Sequence, residues 1–288
     1  VNPSFSSGVP EFRTSLDGGK TWSEPTRVVE KPVWEINEGY PFEADIFLGD
    51  DERLAVVWTQ DDGTFTKTIN GETNIHSSNY VPYSVWIVLS NDGGKTFTEP
   101  RRVGESWGRV ATAYLGDSYY IMTKQASFQS SEVTFEYRLL YSQNKGVSWN
   151  VASISRDVEV YSSFPYEVAS GLSVASDGTV DVVFYGRINA PECISIPAPM
   201  SRQWTDKCDY NVYYTSSQDD GTNLRVFSDP QPLNEEPIVG SQFVRLDGMN
   251  TSGWFLSIAS TNDAAYPVWI GNREGVEGTQ AYMLRIER

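Results

Sequence analysis

Cysteine and histidine are nearly missing from this chain: its 288 residues hold two cysteines, Cys193 and Cys208, and one histidine, His76. That is too few ligands for a zinc centre, and no metal or cofactor is expected. The two cysteines enclose a polar, proline-rich stretch, whereas free thiols usually sit within apolar runs. We therefore expect a Cys193–Cys208 disulfide, which on a chain-closure argument removes roughly 3 kcal/mol of unfolded-state entropy and points to an oxidising compartment. Long apolar runs are also lacking. No window approaches 18 consecutive apolar residues, so no membrane-spanning helix is expected, and the first thirty residues lack the pattern of a signal peptide. The chain reads as a mature soluble one, compatible with removal of a leader. Basic residues are scarce beside acidic ones, 22 against 38, and the net charge of −16 argues against nucleic acid or an anionic membrane as partner. Nor is there an amphipathic stretch of helical period.

What is present is a large apolar and aromatic share, 39% and 13%, enough to fill a substantial core. There is also an internal repeat. Four windows align: Ser15-Leu-Asp-Gly-Gly-Lys-Thr-Trp22, Ser90-Asn-Asp-Gly-Gly-Lys-Thr-Phe97, Ser142-Gln-Asn-Lys-Gly-Val-Ser-Trp149, and the degenerate Ser217-Gln-Asp-Asp-Gly-Thr-Asn-Leu224. Each part has a physical job. Asp17, Asp92, Asn144 and Asp219 can hydrogen-bond the backbone of a tight turn, and the glycines supply positive φ. The closing aromatics, Trp22, Phe97 and Trp149, are expected to be buried beneath their hairpins as folding staples.

This pattern, Ser-x-Asp-x-Gly-x-Thr-aromatic, resembles the Asp-box of sialidases and other bacterial-neuraminidase-repeat proteins. The resemblance implies an all-β fold, a β-propeller of four-stranded blades carrying Asp-box turns. It also implies a carbohydrate-related activity at the secreted or cell-surface level.

The strands support that fold independently. Aromatic, alternating runs precede the boxes at 83–89, 135–141 and 209–215, and paired candidates lie upstream at 44–48 with 54–59, 110–115 with 119–123, and 172–175 with 180–185. Four strands per unit make a blade. The boxes are spaced by 75, 52 and 75 residues, so two units carry insertions, at 60–82 and 188–208, each between a second and a third strand. In an up-and-down blade these insertions fall on the face opposite the boxes, where the resemblance puts a ligand site. About five blades are visible: half of one, three complete, and a last one with strands near 254–260, 265–270 and 281–286. A six-bladed ring needs about 24 strands rather than some seventeen, so the single propeller domain over 1–288 is either the C-terminal part of a longer ring, the favoured reading, or a smaller ring closed by pairing its termini, or richer in strands than this count.

Sialidase chemistry, as the resemblance implies it, uses three arginines on a carboxylate, a Tyr–Glu pair and an acid/base Asp. Arg187 and Arg273 each end the second strand of a blade, and Arg109 opens an inner strand; these are the ligand-binding candidates, together with Tyr166 and Trp204, which like Tyr40 and Trp107 are read equally as sugar-stacking platforms or as aromatics packed between blades. Glu43, Asp45 and Glu167 are the carboxylate candidates, with Asp61 and Asp62 in an insertion. The first-arginine signature, Phe/Tyr-Arg-Ile-Pro, is absent, since Phe12-Arg13-Thr14 runs straight into a box. Sialidase turnover is accordingly not expected. The Asp-box carboxylates lack the ligand run of a calcium loop and are read as structural. Two functions follow: a carbohydrate-recognising module, lectin-like or hydrolytic, whose partner is a glycan, or a structural or adhesion domain that binds an extracellular protein.

Overall fold

A computed structural model describes residues 10–30, 41–48, 53–60, 65–69, 72–76, 83–108, 110–129, 132–155, 158, 170–187, 209–219, 225–239, 245–246, 249–250, 256–271 and 280–288. Within these, residues 41–43, 65–69, 72–76, 126–129, 132–134, 187, 209, 218–219, 239, 245–246 and 249–250 are described by backbone and register alone. All regular elements are strands, and they fall into two compact units, Val1–Trp107 and Gly108–Arg288.

The first unit holds β1 (Glu11–Phe12), β2 (Thr26–Arg27), β3 (Pro41–Leu48), β4 (Leu54–Gln60), β5 (Phe65–Ile69), β6 (Glu72–His76), β7 (Tyr83–Ser90) and β8 (Arg101–Ser106). β3-β4-β7-β8 form a four-stranded antiparallel meander, β1-β2 a ribbon, and β5-β6 a separate hairpin inside the insertion between the second and third strands. β4 is buried at every position, as a continuous apolar strand packed on both faces must be. Trp58 and Trp86 stand opposite each other in register and stack with ring centroids 6.4 Å apart. With Val28, Val29, Leu54, Val56 and Val88 they form the core that joins the ribbon to the meander.

The second unit holds β9 (Ala111–Leu115), β10 (Ser118–Gln129), β11 (Glu132–Ser142), β12 (Asn150–Ser153), β13 (Ser170–Val174), β14 (Val180–Arg187), β15 (Asp209–Asp219), β16 (Arg225–Phe227), β17 (Gln231–Pro232), β18 (Ile238–Val239), β19 (Arg245–Leu246), β20 (Met249–Asn250), β21 (Leu256–Ser260), β22 (Ala264–Gly271), β23 (Gln280–Met283) and β24 (Ile286–Glu287). β9-β10-β11-β12 and β13-β14-β15-β16 repeat the meander, β17 and β18 continue the outer edge along β15, and β21-β22-β23 with β24 make a last sheet. The first strands of successive sheets come very close. A Cβ added to Gly171 of β13 would sit 3.0 Å from the backbone of Ser257 in β21, so glycine sets that approach. One core runs through all three sheets, centred on Met122, Leu139, Val182, Phe184 and Val212.

The first three box hairpins do what the sequence pattern predicts, except at the aromatics, and most of the fourth, at 217–224, lies outside the described residues. In the second box the Asp92 carboxylate accepts from the Lys95 and Thr96 amides and from the Thr96 hydroxyl, while the Gly94 amide donates to Ser90 Oγ. Asp17 makes the same set with Lys20 and Thr21. Asn144 substitutes its amide oxygen, accepting from the Ser148 amide. The expected burial of the closing aromatics fails in part. Trp22 is 61% exposed and Trp149 and Phe97 are only half-buried. Among the described residues Trp22 closes a two-stranded ribbon with no further strand over it, and its ring lies across Gly19 instead. Phe97 packs edge-on against Phe12, with centroids 6.1 Å apart, and Trp149 donates its indole N–H to the Gly146 carbonyl.

Candidate functional site

Meander topology puts every box turn, between third and fourth strands, at one end of its sheet and every second-to-third connection at the other. Arg187 is the last residue of β14 at that second end, opposite Tyr210 of β15. Arg273 lies two residues past β22, the second strand of the last sheet, and outside the described residues. The two strand ends are tied directly: Tyr185 donates its hydroxyl to the Ile270 carbonyl at 2.8 Å. Burial holds the Tyr185 hydroxyl well above the ordinary tyrosine range, so it stays a donor. Gly186 leaves room for the Tyr213 ring, because a Cβ there would meet that ring at 2.5 Å.

Of the carboxylate candidates, two lie among the described residues. Glu43 and Asp45 lie within β3, which begins at Pro41 rather than at 44, opposite Thr59 and Val57. Being two apart they share one face of the strand, roughly 6 to 7 Å from each other along the backbone. Asp45 is half-buried and its carboxylate accepts from the Ile46 amide. Trp107 is buried, at 7% exposure, which favours the packing reading over the stacking one: the residue follows the last strand of a packed sheet. Asp219 is the last residue of β15, opposite Arg225. Arg109, Tyr166, Glu167, Trp204, Cys193, Cys208, Tyr40, Asp61 and Asp62 lie outside the described residues.

Three buried ionisable side chains escaped the sequence reading. Lys124 of β10 is 2% exposed, its ammonium 5.1 Å from the centroid of the Phe135 ring, and burial pulls its pKa down to about 7. Asp181 of β14 is fully buried and accepts from the Tyr214 hydroxyl, the Ser260 hydroxyl and the Arg288 guanidinium. Burial raises its pKa in spite of those donors, and burial together with Asp181 pushes Tyr214 up to about 12. Arg225, 6% exposed, spans two sheets by donating to the Gly178 carbonyl and to the Tyr120 hydroxyl, whose ring it also covers. Asp181 and Arg225 sit at the box end and join neighbouring sheets, a structural role. Their one sequence signal is a charge set among apolar strand residues, as in Val180-Asp181-Val182. Among the described residues no cluster of His, Cys, Asp and Glu is arranged to hold a metal ion, and no helix is long and apolar enough to cross a membrane.

No family model and no curated protein matches the chain. Solved structures do. The chain is similar to the phage phi92 endosialidase at 12% identity with a TM-score of 0.52, matching over 93% of this chain and 39% of that one. It is similar to polysaccharide lyase Uly1 at 9% identity and a TM-score of 0.51, over 98% of this chain and 54% of that one. An α-L-arabinanase from Penicillium chrysogenum aligns at 10% identity with a TM-score of 0.49, over 96% and 67%. The chain thus spans about two-fifths of the endosialidase chain and about half of the lyase chain. At such identities the likeness concerns fold: this is an all-β chain of four-stranded antiparallel blades, in the propeller class.

Proposed function

We propose that this chain is a carbohydrate-recognising β-propeller domain, secreted or at the cell surface, that binds a glycan at the sheet ends opposite its Asp-box turns. The observation that carries the reading is the Tyr185 hydroxyl on the Ile270 carbonyl, 2.8 Å, which ties the ends of β14 and β22 together. Arg187 follows Tyr185 by two residues, and Arg273 follows Ile270 by three, and this closeness in sequence to the link supports assigning both to one binding rim. Guanidinium forks recognise carboxylate and hydroxyl groups in fixed geometry. The endosialidase and lyase names attached to similar folds agree with a glycan ligand, although a fold alone does not fix function. Without a Phe/Tyr-Arg-Ile-Pro segment the third grip on a sialic acid carboxylate is missing, so we propose recognition without sialidase turnover. The test is glycan binding by calorimetry for the parent, Arg187→Ala and Arg273→Ala, beside release of sialic acid from a fluorogenic substrate. Unchanged affinity in both variants removes the arginines from the site. Clear turnover by the parent would refute the non-sialidase assignment, and capture of a protein ligand with no glycan binding would favour the adhesion-domain reading.

A further inference from the structure

The aromatic that closes the first box is left bare on a hairpin that is otherwise firmly held. Trp22 is 61% exposed, whereas Trp58, Trp86, Trp107 and Trp269 are all buried and Trp149 is half-buried. The base of the hairpin is clamped twice: the Ser23 amide donates to the Thr14 carbonyl at 2.8 Å, and the Thr14 amide donates to Ser23 Oγ at 3.1 Å. Its turn is closed by the Asp17 carboxylate, which accepts from the Lys20 and Thr21 amides and the Thr21 hydroxyl, and by the Gly19 amide on Ser15 Oγ at 2.7 Å. Below it, the Phe12 ring on Phe97 and the buried Val28 and Val29 fix the ribbon to the meander of the same unit. The exposure of Trp22 is therefore built into an ordered hairpin and is not fraying.

The surroundings of the ring select its ligand. Residues 16–24 are all exposed, and apart from Leu16 and Trp22 they are glycine or polar: Asp17, Lys20, Thr21, Ser23 and Glu24. A protein partner, which covers roughly 800 Å² of each surface, needs a broader apolar patch than one indole and one leucine. A pyranose ring matches better, since one of its faces is a set of C–H groups and its rim a set of hydroxyls. The indole supplies both halves of that match, a flat apolar face and an N–H donor. The Trp22 N–H meets no acceptor among the described residues, whereas the Trp149 N–H is taken by the Gly146 carbonyl. Beside the ring lies bare glycine backbone, where a Cβ on Gly19 would already touch it at 3.9 Å. Charge narrows the class further. Asp17 and Glu24 outnumber Lys20 on the hairpin, so an acidic sugar is disfavoured. Because the hairpin is ordered beforehand, the ring is presented with little left to immobilise on binding.

We propose that Trp22 is a sugar-stacking platform, a glycan site of its own at a box turn, which takes one pyranose ring of a neutral saccharide through the indole face and N–H. The inference stands apart from the reading that assigns Arg187 and Arg273 to the sheet ends opposite the boxes. Its test is fluorine NMR of protein labelled with fluorotryptophan, in which the Trp22 resonance is the one missing from Trp22→Phe. Cellohexaose, maltohexaose and mannohexaose are titrated into the parent and into a double variant, Arg187→Ala with Arg273→Ala. The free protein should show a solvent isotope shift at Trp22. At least one sugar should then move that resonance saturably with a Kd of about 1 mM, the weak binding that one stacked ring supports. The double variant should give the same shift. Calorimetry in that background should show a loss of at least about tenfold for Trp22→Ala and a smaller one for Trp22→Tyr, which keeps a ring; thermal unfolding checks that both are folded. A Trp22 resonance without an isotope shift means a covered ring, and one that none of the three sugars moves means an idle one. Either result overturns the proposal and leaves the sheet-end reading to its own test. A shift that follows protein concentration and not sugar assigns the ring to a second copy and overturns it as well. A shift lost in the double variant puts the sugar at the sheet ends and not on Trp22, which also overturns it.

Discussion

Replacing Lys124 by methionine should stabilise the second unit, and the gain should shrink as pH rises. The amine is buried against the Phe135 ring, and burial lowers its pKa from 10.5 to about 7. The gap of about 3.5 units, at 1.36 kcal/mol each, sets a ceiling of roughly 5 kcal/mol on what the ammonium costs the folded state. Methionine keeps the length and the flexible stem, so a net gain of about 2 to 4 kcal/mol is expected near neutral pH, in line with buried charges exchanged for apolar groups of similar volume. The direction with pH follows from proton counts. Below about pH 7 the amine is charged in both states and the full penalty applies. Between 7 and 10.5 the folded protein has released the proton and the unfolded chain has not, so the parent gains stability relative to Lys124→Met at about 1.4 kcal/mol per unit. Urea unfolding of both proteins near pH 6 and about pH 9.5 measures this directly. A stability difference that does not change with pH, or a methionine variant less stable than the parent near pH 6, would show that the ammonium is compensated inside the protein and refute the reasoning.

Other outcomes test the remaining features. Lys145 is the one described non-glycine residue with positive φ, 58°, at the place where the first two boxes carry glycine; Lys145→Gly should therefore raise stability by about 0.5 to 1 kcal/mol in denaturant unfolding despite the loss of its ion pair with Asp117. Arg288→Met leaves the Asp181 carboxylate buried without its guanidinium and should cost about 3 to 5 kcal/mol, while adding Asp181→Asn should recover part of the loss, a non-additivity that a double-mutant cycle reads out. The Asp17 and Asp92 carboxyls, held down to about 2 mainly by their hydrogen bonds from Thr21 and Thr96, stabilise their turns above pH 3.8, and this is lost as pH falls toward 2; NMR titration should find both below the usual aspartate range. Mass spectrometry of the unreduced protein should find Cys193 bonded to Cys208, and two free thiols would refute the pairing.

The strands were legible because this fold writes its period into the chain. Alternation and aromatic content located β4, β7, β14 and β22 to within a residue or two at each end, and the Ser-x-Asp-x-Gly pattern located the turns. A turn is a local object: Ser90, Asp92, Gly94 and Thr96 satisfy one another within seven residues, so spacing alone encodes the network. Burial of the aromatic that closes the turn is not local. Phe97 is half-covered because Phe12 happens to stand over it, Trp22 stays exposed because no strand among the described residues does, and nothing in either octapeptide records the difference. The same distinction explains the buried charges. Lys124 and Asp181 look like ordinary polar positions of alternating strands until neighbouring sheets close on both faces, at which point Asp181 needs Ser260 and Arg288 from a sheet some eighty or more residues away. The end opposite the boxes was readable as topology, since second-to-third connections must lie there, and the Tyr185–Ile270 link is the observation from which we propose that Arg187 and Arg273, 86 positions apart in sequence, act together. Their joint action depends on side chains and connections that no local pattern specifies, which is why binding, rather than sequence, has to decide it.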